Sequence, residues 1–575
     1  MNLEHVKKLI KSLNWAKLAE YFCEDPMEVN DVENLLEAVY LSDAMVRRRP
    51  DDNGARRSKF LTSLADHLRS FDFLTGAETI GEMKIKFEEI DIGYVAIFET
   101  ESQLPTNEWT SEQRISAMLT MLQRAAREVQ ADILRSMKAA PALTTEPAIY
   151  NAQGERYNPN AVTHNLSAAA FNILMMESYR EGYFNSEDQI VLPARPPMSD
   201  SEAEPIVGNY TTAHLWKVWK TVDEKTRFLG GDLKVFYGRP SWIDPELKEL
   251  DEITTSLEFA ANFDAEVFTV LAGERFDERQ KQTYFKLITD ANLIKYIASK
   301  STGQVALPPE AFLSPEEGHA AIGLHHALSV DIQKTLVPDT ELTVSELLRG
   351  FSALQILSME HMSKTTDSFM KLTSADLGAM LESRGLSSTA IANFLSIATL
   401  NRSSKNLYDC PLIRDSDENF LLFGWTIATA DLLKLVLSSI SSREGDIDDK
   451  GALFEQRMIK MFRDLKFDAK NIRISRGQNN EFDYDVAFTW GDYAFFFECK
   501  NRSLPTDSPI AVHYFNHTVQ SHLKQVPRLR KGLDDYPDVL SALTDAVGKK
   551  RVFAYLMRFP MRDLLKTESI FLMKA

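Results

Sequence analysis

The most constraining feature of the 575-residue sequence is an apolar β-hairpin near its C-terminal end that carries acidic side chains. Segment 481–502 reads EFDYDVAFTWGDYAFFFECKNR, in which Gly491 and Asp492 suit a two-residue type II′ turn. The register that this turn sets places Asp485 directly opposite Glu498. Opposed residues have Cβ atoms about 5 Å apart, so the two carboxylates are expected to repel each other within the folded strands.

The same register places Asp483 opposite Lys500. Strand alternation predicts one face with Asp483, Asp485, Ala487, Ala494, Phe496, Glu498 and Lys500, and a second face with Tyr484, Val486, Phe488, Phe495, Phe497 and Cys499. Opposed carboxylates in strands of Phe, Tyr and Val need a cation between them, and a hard divalent ion, Mg²⁺ or Mn²⁺, is the natural candidate. We expect Lys500 to orient or activate water and to stabilise charge that develops on a phosphate.

An amphipathic helix precedes the hairpin in segment 451–467. Its predicted apolar stripe consists of Phe454, Met458, Met461 and Leu465, widened by Ile459 and Phe462. Glu455 falls inside this stripe, where a carboxylate is costly unless something compensates it. Glu455 is therefore a candidate metal ligand. The alternative is that it lies in the first turn of the helix, where a negative charge favours the helix dipole.

The motif formed by Asp485, twelve intervening residues, and then Glu498, Cys499 and Lys500 resembles the PD-(D/E)xK nuclease superfamily, which has the restriction-endonuclease-like fold. The resemblance implies an αβββαβ core that binds Mg²⁺ or Mn²⁺ and hydrolyses phosphodiester bonds. It implies that Asp485 and Glu498 are metal ligands and that Lys500 is the catalytic lysine. Glu455 matches a glutamate that some branches carry on the first helix, where it also binds the metal.

The proline that gives this motif its name is missing here, and Tyr484 stands in its place, as another residue does in many branches of the superfamily. Two other ExK triplets occur, at 82–84 and 246–248. Neither follows an aspartate-bearing strand joined to it by a tight turn. The resemblance thus depends on the triplet at 498–500 and covers under a quarter of the chain.

The sequence after the hairpin also suits this core. A predicted helix at 512–526 carries Gln520, which matches a catalytic-site glutamine of the RecB-like and Mrr-like branches, although Gln525 is a rival for that position. Segment 551–558 is apolar on both faces, as expected of a central strand.

Three basic side chains follow that glutamine. Lys524, Arg528 and Lys531 share one helical face at i, i+4 and i+7 spacing and could hold a phosphate backbone. Pro527 interrupts the helix, and a solvated charged face is the alternative interpretation.

The charge distribution separates this C-terminal segment from the rest of the chain. The formal charge of the whole chain is −18, which alone argues against a nucleic-acid partner. Residues 441–575, however, contain 22 Lys and Arg and 19 Asp and Glu, a net of +3, whereas the first 440 residues have a net of −21. A mildly basic unit therefore follows an acidic body, which is itself a candidate surface for a protein partner.

The length predicts several domains, and segments rich in Pro, Ser and acidic residues at 192–209, 307–318 and 441–450 suggest where they join. The predicted regions are a mainly helical one at 1–191, a mixed α/β one at 210–306, a helical one at 319–440 that ends in a β-hairpin and a helix, and the nuclease domain at 446–575. The expected fold class is multidomain, with a mainly α-helical N-terminal region and a C-terminal α/β restriction-endonuclease-like domain.

Apolar spacing makes the secondary-structure predictions more specific. It predicts helices at 111–137, 161–183, 319–336, 345–362 and 427–439, strands at 84–98 and 233–237, and a hairpin at 410–423.

Missing signals narrow the expected location and activity. Three cysteines without a CxxC pair, and no apparent signal peptide or membrane-spanning segment, favour a cytoplasmic protein that does not act at a membrane. The sequence has neither GxxxxGK[ST] nor HExxH, which excludes a P-loop ATPase and a zinc protease of that type.

The expected function is metal-dependent cleavage of nucleic acid by an endonuclease that acts on DNA. Two alternatives stay open: a toxin-like nuclease that cuts RNA, and a scaffold protein whose C-terminal unit binds nucleic acid without catalysis. A homodimer is expected because duplex cleavage by this fold commonly uses two active centres. The arrangement also resembles bacterial proteins in which such a nuclease is fused to a sensing region, and many of those act in defence against phage.

Overall fold

The fold is mostly helical, with small sheets, over the part of the chain that can be described. The computed structural model describes residues 2–24, 28–48, 54–140, 148–238, 255–266, 285, 289–301, 305–328, 330–365, 367–441, 443, 450–475, 481–501, 508–543 and 546–558. Of the predicted linker at 441–450, residues 442 and 444–449 lie outside this description.

The described helices, in chain order, are α1 (Leu3–Lys11), α2 (Trp15–Glu24), α3 (Val29–Leu41), α4 (Gly54–Ser70), α5 (Leu74–Ser102), α6 (Ser111–Ala139), α7 (Pro159–Glu181), α8 (Asp200–Ala203), α9 (Val207–Leu229), α10 (Ala291–Lys300), α11 (Pro315–Leu328), α12 (Val344–Lys364), α13 (Ser374–Ser383), α14 (Ser388–Ala398), α15 (Gly424–Ala428), α16 (Leu432–Ser441), α17 (Lys450–Asp464), α18 (Pro509–Leu523) and α19 (Gln525–Asp535). None of the described helices is both long enough and apolar enough to cross a membrane.

The described strands are β1 (Ile149–Tyr150), β2 (Arg156–Tyr157), β3 (Val191–Leu192), β4 (Asp232–Tyr237), β5 (Thr255–Ala260), β6 (Phe369–Leu372), β7 (Leu412–Asp415), β8 (Phe420–Phe423), β9 (Lys470–Ser475), β10 (Glu481–Trp490), β11 (Tyr493–Asn501) and β12 (Lys550–Arg558). They form two two-stranded sheets, β1-β2 and β4-β5, and two four-stranded sheets with the orders β3-β7-β8-β6 and β12-β11-β10-β9.

The chain divides into two units, both discontinuous in sequence. The first contains Met1–Thr110, Pro205–Val267 and Asp507–His513, and the second contains Ser111–Glu204, Phe268–Thr506 and Tyr514–Ala575. The core of the first unit is built mainly from α1 to α5. The second unit contains a helical core around α12, and the C-terminal sheet with its own two cores.

The strand predicted at 84–98 is wrong, because these residues lie inside the long helix α5. The segment contains alternating apolar residues that suggested a strand. Its buried side chains are instead spaced as on a helix, with Phe87, Ile90 and Tyr94 separated by three and four residues. Packing against α4 and α9 thus decides the conformation.

Two predicted helices differ from the observed ones at Asp residues that form turns or caps. The helix predicted at 319–336 ends at Leu328, and the carboxylate of Asp331 accepts a hydrogen bond from the N–H of Gln333 in the turn that follows. The helix predicted at 427–439 is split into α15 and α16. Asp431 accepts the N–H of Leu433 at 2.9 Å just after α16 begins, a hydrogen bond that caps a new helix.

The helix predicted at 512–526 differs as well, because α18 ends at Leu523 and α19 begins at Gln525. Five other secondary-structure predictions are confirmed. Helices α6, α7 and α12 cover the segments 111–137, 161–183 and 345–362 to within a few residues. The strand at 233–237 is β4, and the hairpin at 410–423 consists of β7 and β8.

The C-terminal sheet follows the order helix, three strands, two helices and strand. Helix α17 precedes the antiparallel strands β9, β10 and β11, and the chain then passes through α18 and α19 into β12, which pairs with β11 in parallel. One face carries Phe454, Met458 and Phe462 of α17. The opposite face carries Leu529 and Leu533 of α19. The predicted stripe of α17 is thus largely correct, but Leu465 lies beyond the helix and is exposed.

Helix α19 lies close to β10. A side chain at Gly532 would have its Cβ 2.5 Å from the ring of Phe482, so only glycine permits this approach. The hydroxyl of Tyr484 donates a hydrogen bond of 2.9 Å to the carbonyl of Leu529 in the same interface. Tyr484 therefore has a packing function.

Candidate metal centre on the C-terminal hairpin

The hairpin between β10 and β11 has the predicted turn and register. Gly491 has φ +55°, as the first position of a type II′ turn requires, and Trp490 pairs with Tyr493. The described ladder continues in that register to the pair Val486–Phe497. The next position along β10 is Asp485, and the next along β11 is Glu498.

A β-bulge in β10 precedes this ladder and was not predicted. Against β9, Tyr484 pairs with Ile472 and Ala487 pairs with Lys470, so β10 has one additional residue between the two pairs. The bulge explains why Tyr484 packs in the core that contains Ala487 and Phe496, on the face opposite to the one predicted for it. Val486, Phe488, Phe497 and Cys499 do share the predicted second face.

Asp485, at the bulge, is almost fully buried, with 6% of its surface exposed. Its Oδ2 accepts a hydrogen bond of 2.6 Å from the backbone N–H of Cys499. Burial and the nearby charge of Glu498 raise the pKa of Asp485 to about 8, and Glu455 acts in the same direction. The hydrogen bond from Cys499 only partly offsets these effects. A charged Asp485 is thus destabilised by the protein around it.

Glu498 and Lys500 form an ion pair beside this aspartate. Glu498 is 6% exposed, and its Oε1 lies 2.5 Å from Nζ of Lys500. Burial works against the charged ammonium, but the hydrogen bond and the charge of Glu498 outweigh burial and raise the pKa of Lys500. The lysine is therefore firmly protonated.

Glu455 lies in the second turn of α17, because the helix begins at Lys450. The first-turn alternative is thus wrong. The side chain is half-buried, and burial together with the charge of Asp483 raises the pKa of Glu455, whereas Lys500 acts in the opposite direction. The mutual electrostatic effects show that α17 brings this third carboxylate towards the hairpin site.

Asp483 has partners on β9 that were not predicted. It pairs with Arg473 of β9 in the described sheet, and the guanidinium Nε of Arg473 lies 3.7 Å from its Oδ2. The side-chain amide of Asn471 donates a hydrogen bond of 2.9 Å to its Oδ1. Sequence reasoning missed these partners because it did not place β9. Asp483 is compensated by them and partly exposed, unlike Asp485.

The three carboxylates form an open set. In the described structure, oxygens from Asp485, Glu498 and Glu455 do not all lie within 4.8 Å of one another. Lys500 contributes the cation closest to them. The charge of Lys500 balances that of Glu498, so the site gains an excess of negative charge when Asp485 loses its proton. Such an all-oxygen donor set suits a hard divalent cation such as Mg²⁺ or Mn²⁺.

Gln520 lies on α18 and is exposed. Within the described residues its side chain makes no hydrogen bond to the hairpin carboxylates. Its rival, Gln525, is half-buried at the start of α19. The contacts of the described structure therefore do not select either glutamine as part of the centre.

The three basic candidates lie where α18 gives way to α19. Lys524 immediately precedes α19, and Arg528 and Lys531 lie within it; all three are exposed. The guanidinium carbon of Arg528 lies 5.7 Å from the centre of the Phe482 ring. Arg530, which the sequence reasoning did not consider, is also exposed on this short helix. The first part of α19 thus presents positive charge, whereas its last two residues are aspartates.

The comparisons with known proteins do not add to this geometry. The chain matches no family model, no curated protein and no solved structure.

Proposed function

We propose that residues 450–558 form a metal-dependent phosphodiesterase domain of the restriction-endonuclease-like class and that the protein cleaves nucleic acid, with DNA as the substrate. One observation carries the proposal: Asp485 and Glu498 are both buried on one hairpin, and the ammonium of Lys500 is paired with Glu498. Burying carboxylates with too little positive charge destabilises a fold, so it favours a site that a ligand completes.

The order of elements supports the same proposal. A helix with Glu455, three antiparallel strands, two helices and a strand parallel to β11 agree with the αβββαβ order that the motif implies, with one additional helix. Within this order, Glu455 is on the first helix, Asp485 on the second strand, and Glu498 and Lys500 on the third.

The proposed roles follow from the chemistry of each side chain. Asp485, Glu498 and Glu455 would hold the divalent ion, which when bound would supply Lewis-acid stabilisation of charge on a phosphate. Asp485 is kept in place by the N–H of Cys499. The raised pKa of Lys500 keeps its ammonium charged. That charge can orient water and stabilise negative charge that develops at the scissile phosphate.

Nucleic acid as the substrate class is supported by the distribution of basic residues. The net of +3 over 441–575 contrasts with −21 over the first 440 residues. The exposed Lys524, Arg528 and Lys531 would contact the phosphate backbone. Such contacts position a substrate and supply salt-dependent affinity.

The proposal is tested by incubating the full chain with duplex DNA, single-stranded DNA and RNA, each with Mg²⁺, with Mn²⁺ or with EDTA. We expect metal-dependent cleavage of DNA. Lys500→Ala should abolish cleavage while metal and nucleic-acid binding persist, because the lysine is assigned to the reaction. Lys460→Ala, which changes an exposed lysine of α17, is the matched control and should cleave like the parent.

Cleavage of RNA alone would contradict DNA as the substrate but would agree with the proposed metal-dependent reaction. An intact chain that binds Mn²⁺ but cleaves none of the three substrates would overturn the catalytic proposal. If Lys500→Ala lost metal binding as well as cleavage, the lysine would have a structural function.

A further inference from the structure

The tip of the β10–β11 hairpin exposes two aromatic rings. Trp490 is 64% exposed and Tyr493 is 41% exposed. They are directly paired across the turn, and cross-strand partners project from the same face of the sheet. Gly491 and Asp492, between them, are exposed as well. The turn end of the hairpin thus exposes a large apolar surface to solvent.

Neighbouring rings hold these two in place. Trp490 lies 5.9 Å from Phe467 and 6.3 Å from Phe495, and Tyr493 lies 6.2 Å from Phe495, measured between ring centres. Phe495 in turn stacks on Phe488, 5.4 Å away. The exposed rings therefore rest on an aromatic core. Packing over Phe495 does not fully explain why the two rings are at this position, because nearly two thirds of the Trp490 surface remains exposed to solvent.

Two lysines flank the rings. Nζ of Lys549 donates a hydrogen bond of 2.8 Å to the carbonyl of Gly491, and Nζ of Lys550 lies 5.8 Å from the centre of the Tyr493 ring. The parallel pairing of β12 with β11 fixes this arrangement, since Lys550 pairs with Tyr493. Rigid aromatic rings with ammonium groups beside them form a surface suited to an anionic ligand that also has flat apolar parts.

We propose that this hairpin-tip patch, defined as Trp490, Tyr493, Lys549 and Lys550, binds unpaired nucleotides. The bases stack on the two rings, and the lysines contact the adjacent phosphates. Stacking requires bases that are free of a duplex, because paired bases hide their faces in the helix. The inference rests on the proposed function and makes it more specific: the preferred substrate contains a single-stranded segment.

The two rings of the patch and the two buried carboxylates of the centre lie on the same two strands. Asp485 and Glu498 lie five residues from Trp490 and Tyr493, respectively, along the same two strands. At about 3.3 Å per residue this separation is roughly 17 Å. Because five is an odd number of residues, Tyr493 and Glu498 project from opposite faces of β11, so the patch and the centre would engage different parts of a nucleic acid.

The test measures binding and does not depend on cleavage. The full chain is titrated in EDTA at low salt against a fluorescein-labelled single-stranded DNA of about 20 nucleotides, a blunt duplex of the same sequence, and a duplex with a single-stranded overhang, with fluorescence anisotropy as the readout. We expect the single strand and the overhang to bind more tightly than the blunt duplex. Trp490→Ala should weaken binding to both by roughly 5- to 100-fold, the range for loss of one stacked base.

Further variants separate stacking from packing. Trp490→Phe keeps an aromatic face and should retain most of the affinity, whereas Trp490→Leu keeps apolar cover over Phe495 without that face and should bind as weakly as Trp490→Ala. Lys549→Gln combined with Lys550→Gln should make the fall of log affinity with log salt concentration less steep, by about the amount expected for loss of one to two phosphate contacts. Tyr237→Ala is the control, because Tyr237 is 85% exposed and lies on β4 in the first unit.

The inference is overturned if Trp490→Leu and the parent bind the single strand equally, if the parent prefers the blunt duplex, or if the parent binds none of the probes. These outcomes are distinct from failure of the proposed function. If Trp490→Leu binds normally while Lys500→Ala no longer cleaves, only the patch is wrong; if Trp490 is needed for binding but no cleavage occurs, only the nuclease proposal is wrong.

Discussion

Two buried aspartates, one in each unit, have opposite electrostatic environments. Asp223 on α9 is fully buried, and its carboxylate lies 2.6 Å from Nε of Arg227 and 2.9 Å from Nη2 of Arg48. Burial would raise the pKa of Asp223, but the two arginines outweigh it and lower that pKa. Asp485 is almost as buried, yet burial and Glu498 raise its pKa to about 8.

This difference distinguishes a buried carboxylate that stabilises the fold from a buried carboxylate that is suited to binding a cation. Several buried carboxylates in the helical parts have a cation in direct contact, as in the pairs Asp91–Arg57, Glu177–Arg114 and Glu317–Arg349. At the hairpin, three carboxylates surround a single lysine. Removing a partner from a balanced pair leaves an uncompensated charge, whereas removing one carboxylate from the hairpin relieves repulsion. Substitutions should therefore have opposite effects on stability at the two places.

The largest effect is expected from Asp485→Asn on cleavage. Loss of a proposed metal ligand should reduce the rate roughly 1,000-fold or more, which is about 4 kcal/mol in the activation barrier. The same change should leave the metal-free protein as stable as the parent or stabilise it, because asparagine can still accept the N–H of Cys499 without adding charge. Stability is measured by calorimetry in EDTA, in the transition that Mn²⁺ shifts in the parent.

Asp485→Asn should also abolish that Mn²⁺ shift. A variant that is strongly destabilised without metal, or that responds to Mn²⁺ like the parent, would show that Asp485 is a structural residue similar to Asp223. The metal ligand would then have to be another group, and Asp483 would be the first candidate.

Asp223→Asn should act in the opposite way. It removes the buried counter-charge of Arg227 and Arg48 and leaves the exposed Asp43 beside them. We expect a loss of about 3 kcal/mol, since breaking a buried ion pair is strongly destabilising. Urea unfolding followed by far-ultraviolet circular dichroism measures this loss. The control is Asp43→Asn, because Asp43 has a side chain that is 62% exposed while lying 2.9 Å from Arg48; it should cost well under 1 kcal/mol. Equal losses in both variants would contradict the comparison.

The hairpin centre was largely predictable because a two-residue turn fixes register locally. Gly491 and Asp492 determine which residues pair, so the neighbourhood of Asp485 and Glu498 followed from counting. The bulge was not predictable from that count, since it arises in the pairing of β10 with β9 and depends on a strand distant from the turn. It moved Tyr484 to the other face of the sheet.

The helical region was less predictable because its alternatives are decided by packing. Segment 84–98 has β-branched residues in alternation, yet it forms part of α5, whose buried residues face other helices. Likewise, the continuous apolar pattern at 427–439 predicted one helix, although Asp431 caps a second helix, α16, within that segment. Local patterns identify strands reliably where the turn is tight, and they fail where tertiary contacts determine the conformation.

The smallest expected effect is the dependence of stability on pH, which distinguishes the two aspartates in a measurement that does not involve cleavage. Asp485 has a folded pKa of about 8, above the unfolded value near 3.9, so its stability contribution is full below pH 4 and is lost as pH rises through 8. Asp223 has a lowered pKa, so its contribution is present above the unfolded value and is lost only in acid. Between pH 6 and 8 the metal-free hairpin domain should therefore lose about 2 kcal/mol of stability through Asp485. Calorimetry in EDTA at pH 6, 7 and 8 should show this slope in the parent and in Asp223→Asn but not in Asp485→Asn, and a slope that persists in Asp485→Asn would assign the titration to another group.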